Sequence, residues 1–181
     1  MFAIQQPLPL VVIDTDAGQI EIEVDRLRAP ATAMNFLRYV DAGLYDGGRF
    51  HRTVTPANQP GSEVKIEVIQ AGGASARTRE FFPPIALERT RVTALTHADG
   101  VVSMARSGPD SARDQFFICI GNQAALDFGG KRNPDGQGFA AFGRVVRGMD
   151  VVRRIQSSPA QGQTLTPPVG IVRMSRRIPQ P

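Results

Sequence analysis

Tryptophan is absent from this 181-residue chain, cysteine occurs once and histidine twice. A lone thiol, Cys119, allows neither an intrachain disulfide nor a multi-thiolate zinc site. Its setting, Phe117-Ile118-Cys119-Ile120, is apolar, so it reads as an inert core thiol rather than a nucleophile. His51 and His97 would have to recruit carboxylates to build a metal site, and neither sits in an HExxH helix. Nowhere does the chain approach the roughly 20 apolar residues of a membrane helix, which excludes a spanning helix. Internal repeats, heptads and low-complexity tracts are missing as well. So are the GxxxxGK[ST] and GxSxG signatures of phosphate-binding loops and nucleophile elbows. Lysine is nearly absent, with arginine supplying 19 of the 21 basic residues.

What is present is ordinary for a soluble globular chain: 41% hydrophobic and 21% charged residues. The length suits one domain and is short for two. The +4 net charge is unevenly placed. From Arg144 onward there are seven arginines against Asp150 alone, a local +6, which leaves −2 on the first 143 residues. Such an end can be a nucleic-acid footprint. Here the arginines alternate with Val, Ile and Met in Ile171–Ile178, without interleaved aromatics, and read as the polar face of a strand. No nucleic-acid partner is expected. Residues 1–10 lack a basic n-region and are interrupted by Pro7 and Pro9, so they read as a short leader rather than a secretion signal. A mature exported end is compatible with the same residues, and the compartment stays open between cytoplasm and periplasm. The domain is expected over 11–178, with 179–181 as a tail.

Period-2 alternation dominates. Val12-Ile13-Asp14-Thr15-Asp16, a turn at Ala17-Gly18, then Ile20, Ile22 and Val24 against Glu21 and Glu23 predict a hairpin with one wet and one buried face. The carboxylates Asp14/Asp16 and Glu21/Glu23 read as that solvated face. Residues 29–42 predict a helix, with Pro30 in its first turn, an apolar stripe of Met34, Phe36, Leu37 and Val40, and Gly43 as its stop. Short strands follow at 49–54, 65–71, 100–105, 115–120, 139–146 and 169–177, with a second helix over 148–157 carrying Val151, Val152 and Ile155 on one face. Two helices among eight strands, without strand–helix alternation, predict a mainly β fold: a closed eight-stranded antiparallel barrel capped by two helices. Closure removes sheet edges and makes a monomer the default. Two long polar loops, Thr55–Glu63 and Gly129–Gly138, are the natural places for function. Gly136-Gln137-Gly138-Phe139-Ala140-Ala141 matches the dinucleotide pattern GxGxxA, but Pro134 precedes it and a strand follows, so it lacks the strand–turn–helix that pyrophosphate binding needs.

The distinctive segments are Phe50-His51-Arg52, Ile69-Gln70-Ala71-Gly72-Gly73, and Met104-Ala105-x-x-Gly108-Pro109-x(5)-Gln115-Phe116-Phe117-Ile118. Leu126-Asp127 and Phe142-Gly143-Arg144-Val145 follow in order. Over about residues 11 to 178 this set resembles the bacterial-type cyclophilins, peptidyl-prolyl cis-trans isomerases with an eight-stranded barrel and two capping helices. The resemblance implies action on Xaa-Pro bonds in peptides and in unfolded or folding chains. Rotation about an amide breaks no bond, so it needs no nucleophile, metal or cofactor. It implies Arg52 as the catalytic donor and Gln70 as its orienter or a substrate-backbone contact. Phe117 and Leu126 would line the proline pocket together with Val68 and Phe139. Ala105 and Arg106 would flank the bound peptide, and Gln115 would lie at its edge. His51 reads as structural, and His97, in the polar Thr96–Gly100 loop, receives no role.

The chain also departs from the family's pattern. Phe139 stands where a pocket histidine is common, Glu67-Val68 where Phe-Met is common, Arg106 where an Asn often follows Ala105, and Ala125 where a tryptophan precedes Leu126. About ten residues are inserted between Arg52 and Gln70. These changes keep the donor and alter the walls. They raise an alternative: a weakly active or inactive module that binds proline-containing segments.

Overall fold

The computed structural model describes residues 7–177. Nine strands, β1 (Leu10–Thr15), β2 (Gly18–Val24), β3 (Arg49–Val54), β4 (Val68–Gly72), β5 (Val101–Met104), β6 (Phe116–Cys119), β7 (Ala140–Arg147), β8 (Ala160–Gln161) and β9 (Thr164–Arg177), form one antiparallel sheet. Its order is β1-β2-β7-β5-β6-β4-β3-β9-β8, and β9 pairs again with β1. That second pairing closes eight strands into a barrel, and the two-residue β8 is an appendage on β9. The 14 residues of β9 run long because they serve β3 at one end and β1 at the other.

Alternation along the strands explains the packing. In β4, Ile69 and Ala71 point into the main core, while Val68 points out into a satellite cluster. In β6, Phe116 and Ile118 point in, and Phe117 and Cys119 point out into that same cluster. Both faces of these strands are buried, which is why Phe116–Ile120 reads as an unbroken apolar run rather than an alternating one. Burial, with lesser contributions from Asp127 and Asp99, pushes the Cys119 thiol well above its ordinary pKa, so it stays protonated and unreactive.

Helix α1 (Pro30–Asp41) covers one end of the barrel and α4 (Met149–Gln156) covers the other with Val151, Val152 and Ile155. Two further helices, α2 (Ala76–Arg79) and α3 (Thr90–Thr93), are single turns in the connections. Phe36 of α1 is fully buried among Tyr45, Phe116 and Phe142, with ring centroids 4.9–5.5 Å away. Met34 is not part of that stripe: at 69% exposure it points to solvent, and Ala33 and Tyr39 take the buried positions instead.

Other expectations shift in detail. The first hairpin turns at Asp16-Ala17, with Thr15 paired to Gly18. Strand β4 starts at Val68, since residues 65–67 belong to the preceding loop. The expected leader overlaps the barrel at Leu10, which opens β1, and its first six residues lie outside those described, as does the tail at 179–181. Glu21 is not a solvated carboxylate. It is buried and approached by Arg147 at 3.7 Å and Arg177 at 3.2 Å, so part of the C-terminal arginine excess covers an acid on the barrel wall. Among the described residues no helix is long and apolar enough to cross a membrane.

Candidate active site

Arg52 lies on the outer wall of the barrel, opposite Gln70 on β4, which in turn lies opposite Phe117 on β6. Neighbouring strands at matched register therefore bring residues 52, 70 and 117 side by side, although they are far apart in sequence. A β-bulge between Phe50 and Arg52 interrupts the ladder just before the arginine.

The guanidinium is held from two sides. Its Nη1 donates to Gln70 Oε1 at 3.0 Å, and its Nε and Nη2 both donate to Gln163 Oε1 at 2.9 and 2.7 Å. Gln163 sits in the β8–β9 turn and is anchored by donation from its Nε2 to the Asn58 carbonyl. Gln70 is fixed in turn: its Nε2 donates to Gln115 Oε1, which also lies 2.8 Å from His51 Nε2. Gln115 donates to the buried Asp114, whose carboxyl pKa is raised by burial despite the Gly73 N–H and Gln115 bonds that favour its ionised form. A Cβ at Gly72 would collide with the Gln115 amide, so the Gly72-Gly73 pair leaves the room this chain of amides needs. The result is a guanidinium locked in one orientation with no carboxylate partner among the described residues.

Beside it opens a cavity of about 290 Å³, lined by Arg52, Val68, Gln70, Ala105, Arg106, Phe117, Leu126 and Phe139 from among the expected residues. Gln115 lies outside it and borders an adjoining cavity of about 460 Å³, which it shares with Gln70, Ala105 and Arg106. The apolar floor is the satellite cluster: Phe117 and Leu126 are almost fully buried, with Val68, Cys119, Val54 and Ile66 beneath and around them. Phe139 stands edge-on to Phe117 at 5.3 Å. The Arg106 guanidinium lies over the Phe139 ring at 5.0 Å and is neutralised by a two-point pair with Asp135 at 2.9 and 3.0 Å.

Three lining residues escaped the sequence reading: Ile66, Arg132 and Asn133. Ile66, expected within a strand over 65–71, lies in the connection before β4, and Arg132 and Asn133 lie in the second polar loop, where no periodicity marks which side chain turns inward. Gln163 escaped for the same reason. His97 needs a correction. It is fully buried, with Nδ1 at 2.7 Å from Asp127 Oδ1, Nε2 at 2.9 Å from Ser103 Oγ, and its ring stacked on Phe117 at 6.0 Å. Its polar neighbours in sequence hid a residue that supports the pocket floor from behind. Replacing His97 by Ala leaves Ser103 Oγ without its ring partner and Asp127 Oδ1 with only the backbone N–H of residue 97, and opens a cavity behind Phe117. Unfolding in urea is expected to show a loss of about 2–4 kcal/mol. A loss under about 0.5 kcal/mol, the range of ordinary surface substitutions, would contradict that role.

The fold and cavity thus define a small closed-barrel protein with an apolar-floored pocket on its outer wall and, beside it, an arginine held by two glutamines. The family described as "Cyclophilin type peptidyl-prolyl cis-trans isomerase/CLD" matches residues 10–176. The chain is 38% identical over 148 residues to Peptidyl-prolyl cis-trans isomerase A of Dickeya dadantii (strain 3937), covering 80% of this chain and 70% of that one. It is 33% identical over 172 residues to Peptidyl-prolyl cis-trans isomerase cyp18 of Streptomyces antibioticus, covering 93% and 97%. Among solved structures, a Cryptosporidium parvum cyclophilin-type isomerase superposes with a TM-score of 0.76 at 19% identity, covering 96% of this chain and 99% of that one, a likeness of fold. The same protein in the presence of the dipeptide Ala-Pro gives 0.75, covering 93% and 99%. The chain belongs to the cyclophilin-type peptidyl-prolyl cis-trans isomerases, and is an isomerase.

Proposed function

We propose that the chain binds proline-containing peptide segments in the 290 Å³ cavity and that Arg52 stabilises the twisted prolyl amide. The planar amide is held by a rotational barrier of roughly 18–20 kcal/mol. As it twists, conjugation is lost and the proline nitrogen regains a lone pair that accepts a hydrogen bond. A donor placed there favours the twisted state over the planar one, which is what acceleration requires. The observation that carries this reading is Arg52 itself: fixed by Gln70 and Gln163, unpaired with any carboxylate among the described residues, and at the edge of a cavity with an apolar floor. Arginine keeps its charge at every working pH and offers a planar fork that can reach the substrate carbonyl as well. Charge-assisted hydrogen bonds of this kind contribute about 1.5–3 kcal/mol, or about one to two decades of rate. Orientation of the peptide and exclusion of water from the Phe117–Leu126 floor supply the remainder.

The test is cis/trans exchange on an Xaa-Pro peptide followed by NMR. Faster exchange with catalytic amounts of the protein supports the reading. Peptide shifts without faster exchange would favour the binding module. The altered walls bear on ligands too. Ala125, part of the satellite cluster, stands where the family's indole holds cyclosporin, so this chain is expected to bind the drug weakly. Ala125→Trp should tighten binding about tenfold or more by restoring an aromatic contact surface. The introduced indole, the sole tryptophan in the chain, reports the titration by its own fluorescence. Tight drug binding by the unaltered chain would contradict this.

A further inference from the structure

The two long polar loops meet beside the pocket. In the first, after a 3-10 turn at Pro56–Asn58, the buried Gln59 ties the loop to itself through Thr55 and Ile66. Across it lies the second, whose Gly138 adopts φ +68° at a point where a Cβ would lie 2.6 Å from the Asp127-Phe128 backbone, a position closed to any other residue. Arg132 joins them: its Nη1 donates to Gln59 Oε1, Ser62 Oγ and the Val64 carbonyl at 2.9, 2.8 and 2.6 Å. Every one of those acceptors is neutral. The other guanidinium nitrogens of Arg132 make no hydrogen bond within the described residues, and Arg132 lines the same cavity as Arg52.

The pocket therefore holds three guanidiniums, and the fold treats them differently. Arg106 is neutralised by Asp135. Among the described residues Arg52 and Arg132 have no acid partner. The glutamates nearest in sequence offer none: Glu63 makes no ion pair among the described residues, and Glu67 accepts instead from Gln156 Nε2 at 2.9 Å. Burial lowers the pKa of both arginines, and the charge of Arg132 adds to the lowering at Arg52, so the two cations repel across the cavity. Two like charges in a half-buried site are relieved by an anion that enters with the ligand.

We propose that Arg132 is a specificity-determining residue that selects peptides bearing a carboxylate next to the proline, either an Asp or Glu side chain or the terminal carboxylate of a chain ending in proline. Arg132 presents its free edge to that group while Arg52 remains with the prolyl amide. The inference rests on the proline pocket proposed above.

The test measures kcat/KM and, separately, binding by NMR titration, on matched peptides with Glu or Gln before the proline, Glu or Gln after it, and proline last as free acid or amide. The Glu-to-Gln or acid-to-amide ratio is expected to reach about tenfold for at least one pair and to fall with added salt. In Arg132→Gln that ratio should collapse to about one, while Arg132→Lys, which keeps the charge and loses the fork, should keep part of it. Which pair responds identifies the source of the carboxylate. Ratios near one for every pair in the unaltered protein overturn the proposal, as does a ratio that survives in Arg132→Gln. A uniform loss on all peptides in Arg132→Gln with the ratio intact marks a loop clasp alone and also overturns it. Carboxylate-selective binding without turnover supports Arg132 as the selector and overturns the role of Arg52 instead. Neither binding nor turnover on any peptide overturns both.

Discussion

Replacing Arg52 by Ala is expected to lower kcat/KM on an Xaa-Pro peptide by about ten- to a hundredfold while the peptide still binds. The argument is differential: Arg52 meets the prolyl amide most strongly when it twists, whereas Phe117, Leu126 and Val68 grip the ring in both states. The loss should therefore fall on kcat. Arg52→Lys should recover only a small part, because an ammonium lacks the planar fork whose separate nitrogens span Gln70 and Gln163 and leave further N–H groups for the pocket. Burial and the neighbouring Arg132 lower the Arg52 pKa, which brings its deprotonation nearer to the working range. The start lies so far above neutrality that turnover should stay flat between about pH 6 and 9. The measurement is exchange spectroscopy on the unaltered protein and both variants across that range. Full turnover in Arg52→Ala would remove the mechanism.

The largest expected effect on stability is at Phe36. Truncation to Ala removes a fully buried ring that touches Tyr45, Phe116 and Phe142, and it does so where α1 meets the barrel interior. Close-packed surroundings relax only in part, so the cost is about 3–5 kcal/mol. For a chain of this size that corresponds to a drop of roughly 6–20 °C in Tm. Met34→Ala, two residues away on the same helix, should change stability by less than about 0.5 kcal/mol, because Met34 faces solvent. Thermal and urea unfolding of the two variants side by side decide it. Equal losses would mean that α1 does not cap the barrel as described. Turnover of Phe36→Ala well below its Tm should persist, since the Arg52 pocket lies on the outer wall and Phe36 packs against the inner one.

Whether the chain folds as a barrel was decided by local pattern. Alternation in 11–24 and 169–177, short strands cut by Gly and Pro, and one helix opened by Pro30 are properties of neighbouring residues. Two-residue and 3.6-residue periods report them directly. The ordered segments around Arg52, Gln70, Gln115–Phe117 and Leu126 likewise carried most of the pocket, because consecutive strands at matched register turn alternate residues to one wall. Glu21 and Met34 marked the limit. A period states which residues share a face, but not whether Arg177 from the far end of the chain covers one of them, or where a helix's apolar stripe ends.

Only the tertiary structure decided what the loops do. Gln163 reaches Arg52 across 111 positions, and Arg132 reaches Gln59 across 73. His97 is sealed between Asp127, Ser103 and Phe117 although every neighbour in its sequence is polar or small. Hydrogen bonds from irregular backbone carry no period, since each depends on where a closed barrel brings two connections together. The chain's own sequence thus determined a barrel with Arg52 on one of its strands. The meeting of two distant loops determined the charge that the pocket presents.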